Sequence, residues 1–303
     1  MALRPHLRRI CVCLAMLLSM AAPGLCQARG EAVGVLLSRE IAPYVSMVEG
    51  LESGLGNLPV HRFFLDAEGN PYSFGDRGVT LNPSKFAALV AVGPEALRYL
   101  LPRVGSVPLV YGMILSPDNL LGIMARPPCG VSLNIPIKAQ LAAIRQHFPS
   151  VVRLGILFDP VNNQNWFNEA TTVAATLGMQ LLPLQVSRQD GKLDILGDFA
   201  VLDGILFVPD KSVIAKAVIQ HVIKQAALQR IPVVGYNQFF HDSGAALSFI
   251  IDYSLVGHQV ADQVRQLLAG DRCSGTIAPV FTNRINEDAR RALGFKPPGS
   301  TER

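Results

Sequence analysis

From residue 31 onward, apolar runs of about five residues alternate with longer stretches whose apolar positions recur every three or four residues. A further strand is read at 60–65, and the runs at 32–37, 87–92 and 107–114 are apolar at consecutive rather than alternate positions. A strand written that way is covered on both faces, as in a parallel sheet packed between helices. Between these runs, Val45, Val48, Leu51 and Leu55 stand near helical spacing, and a short helix opens at Pro94. The rhythm restarts at Val151, with strands at 154–158, 180–185, 205–208 and 231–234. Helices are expected there at 167–177, around 193–199 and at 212–229, the last with Ile214, Val218, Ile219, Val222 and Ala226 on one face. Two βα series of about equal length imply two α/β domains. The tail breaks the pattern: a strand at 244–249, a helix capped by Asp252 and running through Leu268, a strand at 280–283 and a helix at 285–293. These pieces read as crossings between the domains. The expected lobes are 29–132 plus about 246–278, and 133–245 plus about 279–296, with a disordered tail at 297–303. The joints fall near 131–134, 242–246 and 276–280.

Similar phrases open at Gly34 ("GVLLSRE"), Gly155 ("GILFDPV") and Gly204 ("GILFVPD"), each a buried strand followed by polar, turn-forming residues. In an open parallel sheet ligands gather beyond the carboxyl ends of the strands, where helix N-termini present free N–H groups. If two lobes face each other, these polar tips line the cleft. The expected lining from the first lobe is Ser38, Arg39, Glu40, Tyr44, Gly93, Pro94, Tyr111 and Met113. From the second come Asp159, Asn162, Asn163, Trp166, Asp210, Tyr236 and Asn237. Tyr and Trp grip apolar groups, Asn and Asp can anchor an amine, and Arg39 a carboxylate. Each also has a purely structural reading. Asp159 precedes Pro160 as in a turn, Trp166 could pack in a helix, Arg39 and Glu40 could pair in water, Asp210 could cap a helix, and Tyr236 could belong to the core.

Composition changes the picture at the N-terminus. Arg4, Arg8 and Arg9 precede an apolar stretch over 10–25, broken by Pro23, and small residues follow to Ala28. That is the form of a cleavable secretory signal peptide over 1–28. Leu25 stands where a lipobox expects a small residue, which argues against a lipid anchor on Cys26. Without this segment, 24 basic residues face 23 acidic ones, so the charge gives no sign of a nucleic-acid partner. A periplasmic location and a monomer are expected. Cys129 and Cys273 remain as the pair clear of the terminus, either bonded to each other or two buried thiols.

Catalytic patterns are missing: there is no GxSxG, P-loop, GxGxxG, HExxH or CxxC. The segments "GVSLNIPIKAQLAAIRQHFPSVVRLGILFDP" (130–160), "GILFVPDKSVI" (204–214), "IPVVGYNQFFHDSGAALSF" (231–249) and "DYSLVGHQVADQVRQLLAG" (252–270) resemble the periplasmic substrate-binding proteins of ABC transporters. The group most similar holds tryptophan/tyrosine-type binders and members of uncharacterised ligand. The resemblance covers roughly 32–295 and implies an α/β, periplasmic-binding-protein type I fold, two Rossmann-like lobes joined by a three-crossover hinge that closes on ligand. It implies cleft roles for the first βα loop (Ser38 to Tyr44), Gly93-Pro94, and Asn162 to Trp166. The first loop reads "SREIAPY" where aromatic-amino-acid binders often carry a His-Pro pair. The resulting expectation is an exported binder of an amino acid or similar small molecule, delivering it to an ABC permease without chemistry, metal or cofactor. An envelope ligand sensor or an α/β enzyme acting in the same cleft are the alternatives.

Overall fold

Consecutive apolar positions build two sheets of seven strands each. The computed structural model describes residues 31–73, 81–158, 160–189, 192–196, 199–209 and 215–295. The segment expected to be a signal peptide, 1–28, and the expected tail at 297–303 lie outside the described residues. The first lobe begins with β1 (Val33–Leu37), β2 (Val60–Leu65), β3 (Pro71–Ser73), β4 (Ala88–Val92), β5 (Leu109–Ile114) and β6 (Cys129–Ser132). The second holds β7 (Arg153–Phe158), β8 (Gln180–Gln189), β9 (Lys192–Leu196), β10 (Gly204–Phe207), β11 (Val233–Gly235) and β12 (Leu247–Ile251). Then β13 (Thr276–Ile277) returns to the first sheet and β14 (Phe281–Ile285) to the second. The orders are β13-β6-β5-β4-β1-β2-β3 and β14-β12-β11-β10-β7-β8-β9. Both sheets are parallel except at β2–β3, β8–β9 and β12–β14.

The helices are α1 (Ala42–Leu55), α2 (Pro94–Leu100), α3 (Asp118–Leu121), α4 (Ile137–His147), α5 (Pro160–Thr176), α6 (Lys216–Leu228), α7 (Gln238–Asp242), α8 (Tyr253–Leu268) and α9 (Glu287–Ala292). They cover both faces of each sheet. In β4, Ala88, Val90 and Val92 pack in one cluster with α1 and α8, while Leu89 and Ala91 pack in another with α2. In β10, Leu206 and Ile205 divide in the same way between the two faces of the second sheet. Every residue of β1 and β4 is buried, as their unbroken apolar sequences require. None of the described helices is long and apolar enough to cross a membrane.

Helix α8 follows the second sheet's β12 yet packs on the first lobe. It lies against α1 so closely that glycines are needed at the contact. A Cβ on Gly257 would stand 2.0 Å from the Met47 carbonyl oxygen, and one on Gly50 2.0 Å from that of Ser254.

Three expectations are corrected. The stretch around 193–199 is not a helix: it forms β9 and a 3-10 turn at Phe199–Val201, because Lys192–Gln189 through Leu196–Gln185 pair antiparallel with β8. The strand expected at 244–249 belongs to the second sheet, not the first, since β12 pairs with β11 and β14. The second crossing therefore falls at 251–253 instead of 242–246. The strand β6, the helix α4 and the short β3 had no counterpart in the sequence reading. Cys129 and Cys273 form a disulfide, their Cα atoms 6.2 Å apart.

Candidate functional site

Three segments pass between the lobes, at 133–136, 251–253 and 278–280. At the first two lies a cavity of about 200 Å³. The first lobe gives it Leu115 and Ser116, just past β5. The crossings give Leu133, Asn134, Ile135, Ile251 and Tyr253. The second lobe gives Gln140 from α4, Asn163 and Trp166 from α5, Val208 and Pro209 past β10, and Tyr236 and Asn237 past β11.

Local chemistry sets these side chains. Phe158 at the end of β7 stacks on Phe167, with centroids 4.6 Å apart and planes 10° apart, which holds α5 over the strand and turns neighbouring Trp166 toward the cavity. Helix α5 is interrupted at Asn163 (φ −130°, ψ 15°). Asn237 caps α7, its Oδ1 accepting the Phe240 N–H at 3.3 Å, and Tyr236 packs on the Phe240 ring at 4.8 Å. Asp252 caps α8 by accepting the Leu255 N–H at 3.0 Å, so Tyr253 enters as the first residue of that helix. Burial pushes the Tyr253 phenol above its ordinary pKa, so it stays a neutral donor. Asn134 Oδ1 accepts the Ser116 N–H at 3.2 Å, tying the end of the first lobe to the crossing. Gln140 is buried, and its Nε2 donates to the Ile135 carbonyl at 2.9 Å.

Of the residues expected from the sequence, the cavity gathers Asn163, Trp166, Tyr236 and Asn237. Asp159, Asp210 and the side chain of Asn162 lie outside the described residues. The other first-lobe candidates cluster at the ends of β1 and β4 but do not line the cavity. Ser38 is buried there and accepts the Ala96 N–H at 2.9 Å, capping α2 from outside the helix. Arg39 pairs with Glu95 at 3.7 Å rather than with Glu40, which is exposed. The Tyr44 hydroxyl and Ser38 Oγ crowd Gly93, where an added Cβ would stand 2.7 Å from each. Gly93 has φ 89° and leads into Pro94, the first residue of α2, so only glycine fits both the turn and the space. Burial raises the Tyr44 pKa, Glu95 adds to that, and Arg39 opposes it.

Tyr111 and Met113 are corrected. Tyr111 is wholly buried with its ring over Gly130 and its hydroxyl bonded to Thr276, so it joins β5 to the β6–β13 edge and faces no cleft. Met113 packs in the α1–α8 core, at φ 62°, where the register of β5 against β6 shifts between Gly112 and Ile114. The residues the sequence reading missed are Leu115, Ser116, Leu133, Asn134, Ile135, Gln140, Val208, Pro209, Ile251 and Tyr253. Asn134 stood at an expected joint and Tyr253 follows a helix cap, which are the signals that could have found them. Gln140 on a helix face offered none.

Two packed α/β lobes with a cavity at their crossings define a two-lobed binding protein. The model for the family "ABC transporter substrate binding protein" matches residues 84–290, and the chain belongs to that family. Solved structures agree on the fold. A domain in complex with L-Trp from Streptococcus pneumonia superposes with a TM-score of 0.58 at 19% identity, over 89% of this chain and 97% of that one. The ligand-free, open structure of a substrate-binding protein with adhesive properties from Clostridium difficile gives 0.69 at 15% identity, over 89% and 97%. A sugar-binding protein of a sugar ABC transporter from Bacillus halodurans gives 0.58 at 10% identity, over 87% and 100%. The fold is the periplasmic-binding-protein type I fold. The family and these neighbours are binding proteins. No curated protein sequence matches the chain.

Proposed function

We propose that the chain is exported through its N-terminal segment and serves as a periplasmic, monomeric solute receptor of an ABC importer. It captures a small molecule, an amino acid or similar compound, at the lobe crossings and hands it intact to a membrane permease. The observation that carries this reading is the cavity at the crossings, which both lobes line and to which the crossings and the second lobe bring aromatic and carboxamide side chains. Closure about three short crossings would bury a ligand without breaking either core. It would also carry the strand ends of the first lobe, with Arg39, Glu40 and Tyr44, toward the second.

The test is a thermal-shift screen over amino acids, nucleobases, sugars and small organic acids. A cognate ligand at a hundredfold over its Kd stabilises the folded state by about 2.7 kcal/mol, a rise in Tm of roughly 5–10 °C for a chain of this size. Trp166→Ala is expected to remove that rise while leaving the unliganded Tm within about 3 °C, because Trp166 is only half-buried. Full retention of binding in this variant would place the ligand elsewhere.

A further inference from the structure

Each crossing passes from one lobe to the other within a residue or two. In the first, Leu133 packs on the first-lobe core and its N–H donates to the Ile114 carbonyl at 2.8 Å. Asn134 Oδ1 accepts the Ser116 N–H, also from the first lobe, at 3.2 Å. Ile135 already packs in the second-lobe core, where Gln140 Nε2 of α4 donates to its carbonyl at 2.9 Å. Ile135 also precedes Pro136, which confines it to extended backbone. The change therefore falls between Asn134 and Ile135. In the second crossing, Ile251 pairs with Phe281 in the β12–β14 ladder of the second sheet. Asp252 then caps α8, and Tyr253 packs on the first-lobe core.

The third crossing is held by a side chain. The β12–β14 ladder runs one step past Ile251, where the Asp252 N–H donates to the Val280 carbonyl at 3.2 Å. There the second crossing turns into α8 and stops running beside 278–280. Gln259, on the second turn of α8, continues the ladder in its place. Its Oε1 accepts the Val280 N–H at 3.0 Å, and its Nε2 donates to the Ala278 carbonyl at 3.0 Å. A carboxamide carries the same donor and acceptor as a peptide group, so it can stand in for a strand neighbour. Because α8 packs against α1, this neighbour belongs to the first lobe. Ile277 packs on the first-lobe core and Phe281 on the second, on either side of the clamped segment. One turn further along α8, Gln263 donates to the Gly130 and Gly275 carbonyls, but both of those partners lie in the first lobe.

We infer that Gln259 is a positioning residue of the lobe hinge. Its two bonds end the first lobe at Val280 and confine rotation between the lobes to three peptide junctions, Asn134–Ile135, Ile251–Asp252 and Val280–Phe281. This rests on the solute-receptor reading above, in which the lobes close on a ligand, and adds where they turn. Without the clamp, the segment 278–280 swings with either lobe, and the lobes sample a wider range of orientations.

The experiment measures the spread of interlobe distance in the exported protein after dialysis to remove bound solute. Spin labels are placed on Glu49→Cys in α1 and Glu169→Cys in α5, both exposed positions, while the bonded Cys129 and Cys273 take none. Gln259→Leu keeps the side-chain volume and removes both bonds. It is expected to widen the distance distribution about twofold, since two lost hydrogen bonds shift populations by about tenfold. Gln259→Glu keeps the Val280 bond, loses the Ala278 one and should widen the distribution less; it carries the test if Gln259→Leu does not fold. Gln263→Leu is expected to lower Tm and leave the distribution as in the wild type. A wild-type spread in either Gln259 variant overturns the inference. So does equal widening in Gln263→Leu, which would make the effect a general loosening of α8. The labels are read without ligand, so a solute screen with no response would sink the receptor reading alone and leave the hinge assignment standing.

Discussion

Asp203 holds the start of two strands together with one carboxylate. Its Oδ2 accepts the N–H groups of Val152 and Arg153 at 3.2 and 2.8 Å, and its Oδ1 meets the Arg153 guanidinium at 2.8 Å. The Arg153 side-chain bond holds its pKa below the ordinary Asp value; the two backbone N–H bonds add to this and partial burial works against it. A carboxyl depressed on folding stabilises the protein above its unfolded pKa, near 3.9. That stability fades as the pH falls through the folded value. Asp203→Asn should therefore lower Tm at pH 7 by roughly 2 °C, a modest loss because the pair is open to water. The gap should persist at about pH 5 and shrink as the pH falls below the unfolded value, near 3.9, as read by melting both proteins across that range. A gap that widens in acid would refute the role. The same scale shows what strand-end logic can find. It located Asn163, Trp166, Tyr236 and Asn237 because each follows a strand by position alone. It misjudged Tyr111 and Met113 because the strand runs on to Ile114: Tyr111 turns to the α2 face, and the register shift between Gly112 and Ile114 breaks the alternation and turns Met113 to the α1–α8 face. Asn134 and Tyr253 reach the cavity through the path of the crossings, to which only an expected joint and a helix cap point in the sequence.

Helices α1 and α8 meet backbone to backbone, and that contact governs more than stability. A methyl at residue 257 would stand 2.0 Å from the Met47 oxygen and 2.5 Å from the Leu51 nitrogen. Main-chain atoms in a helix cannot step aside singly, so Gly257→Ala must push α8 away as a body. The expected cost is about 1–3 kcal/mol, or roughly 2–12 °C in Tm. Because α8 starts at Tyr253, a cavity residue, ligand affinity should fall as well. Melting and titration of the same variant check both effects, and an unchanged Tm would show that the helices do not touch there. The pairing also marks where elements were legible. The strands β1, β4, β5, β7 and β10 announce a parallel sheet through their unbroken apolar runs alone. The run "KLDIL" of β9 does not, since Leu193, Leu196 and Phe199 fit a helix as well as Leu193 and Ile195 fit a strand. Only its pairing with β8 decides. Likewise nothing in "LSFII" tells β12 which sheet to join; its hydrogen bonds to β11 and β14 do.

At the scale of the whole molecule, the Cys129–Cys273 bond spans most of the second lobe, leaving out β14 and α9. Its two ends are 144 residues apart in sequence, and the span between them contains β7 to β12. Both ends nevertheless belong to the first lobe. Cys129 starts β6, and Cys273 precedes β13, which pairs with β6 at Thr276 and Gly130. Gln263 donates to the carbonyls of Gly130 and Gly275 beside them, at 3.4 and 3.2 Å. The chain thus leaves for the second lobe twice from one stapled edge, after β6 and after β13. Loop-closure entropy for a span of this length reaches about 5 kcal/mol, and measured native disulfides contribute about 2–5. Cys129→Ala with Cys273→Ala should then lower Tm by roughly 5–15 °C, and reducing agent should bring the wild type to the same value. Ligand affinity should change by less than about threefold, because the bond crosses no hinge and restrains neither lobe against the other. A large loss of affinity with an unaltered Tm would invert this account, since it would mean that the bond sets the lobe geometry and contributes little to holding the first sheet closed at its edge.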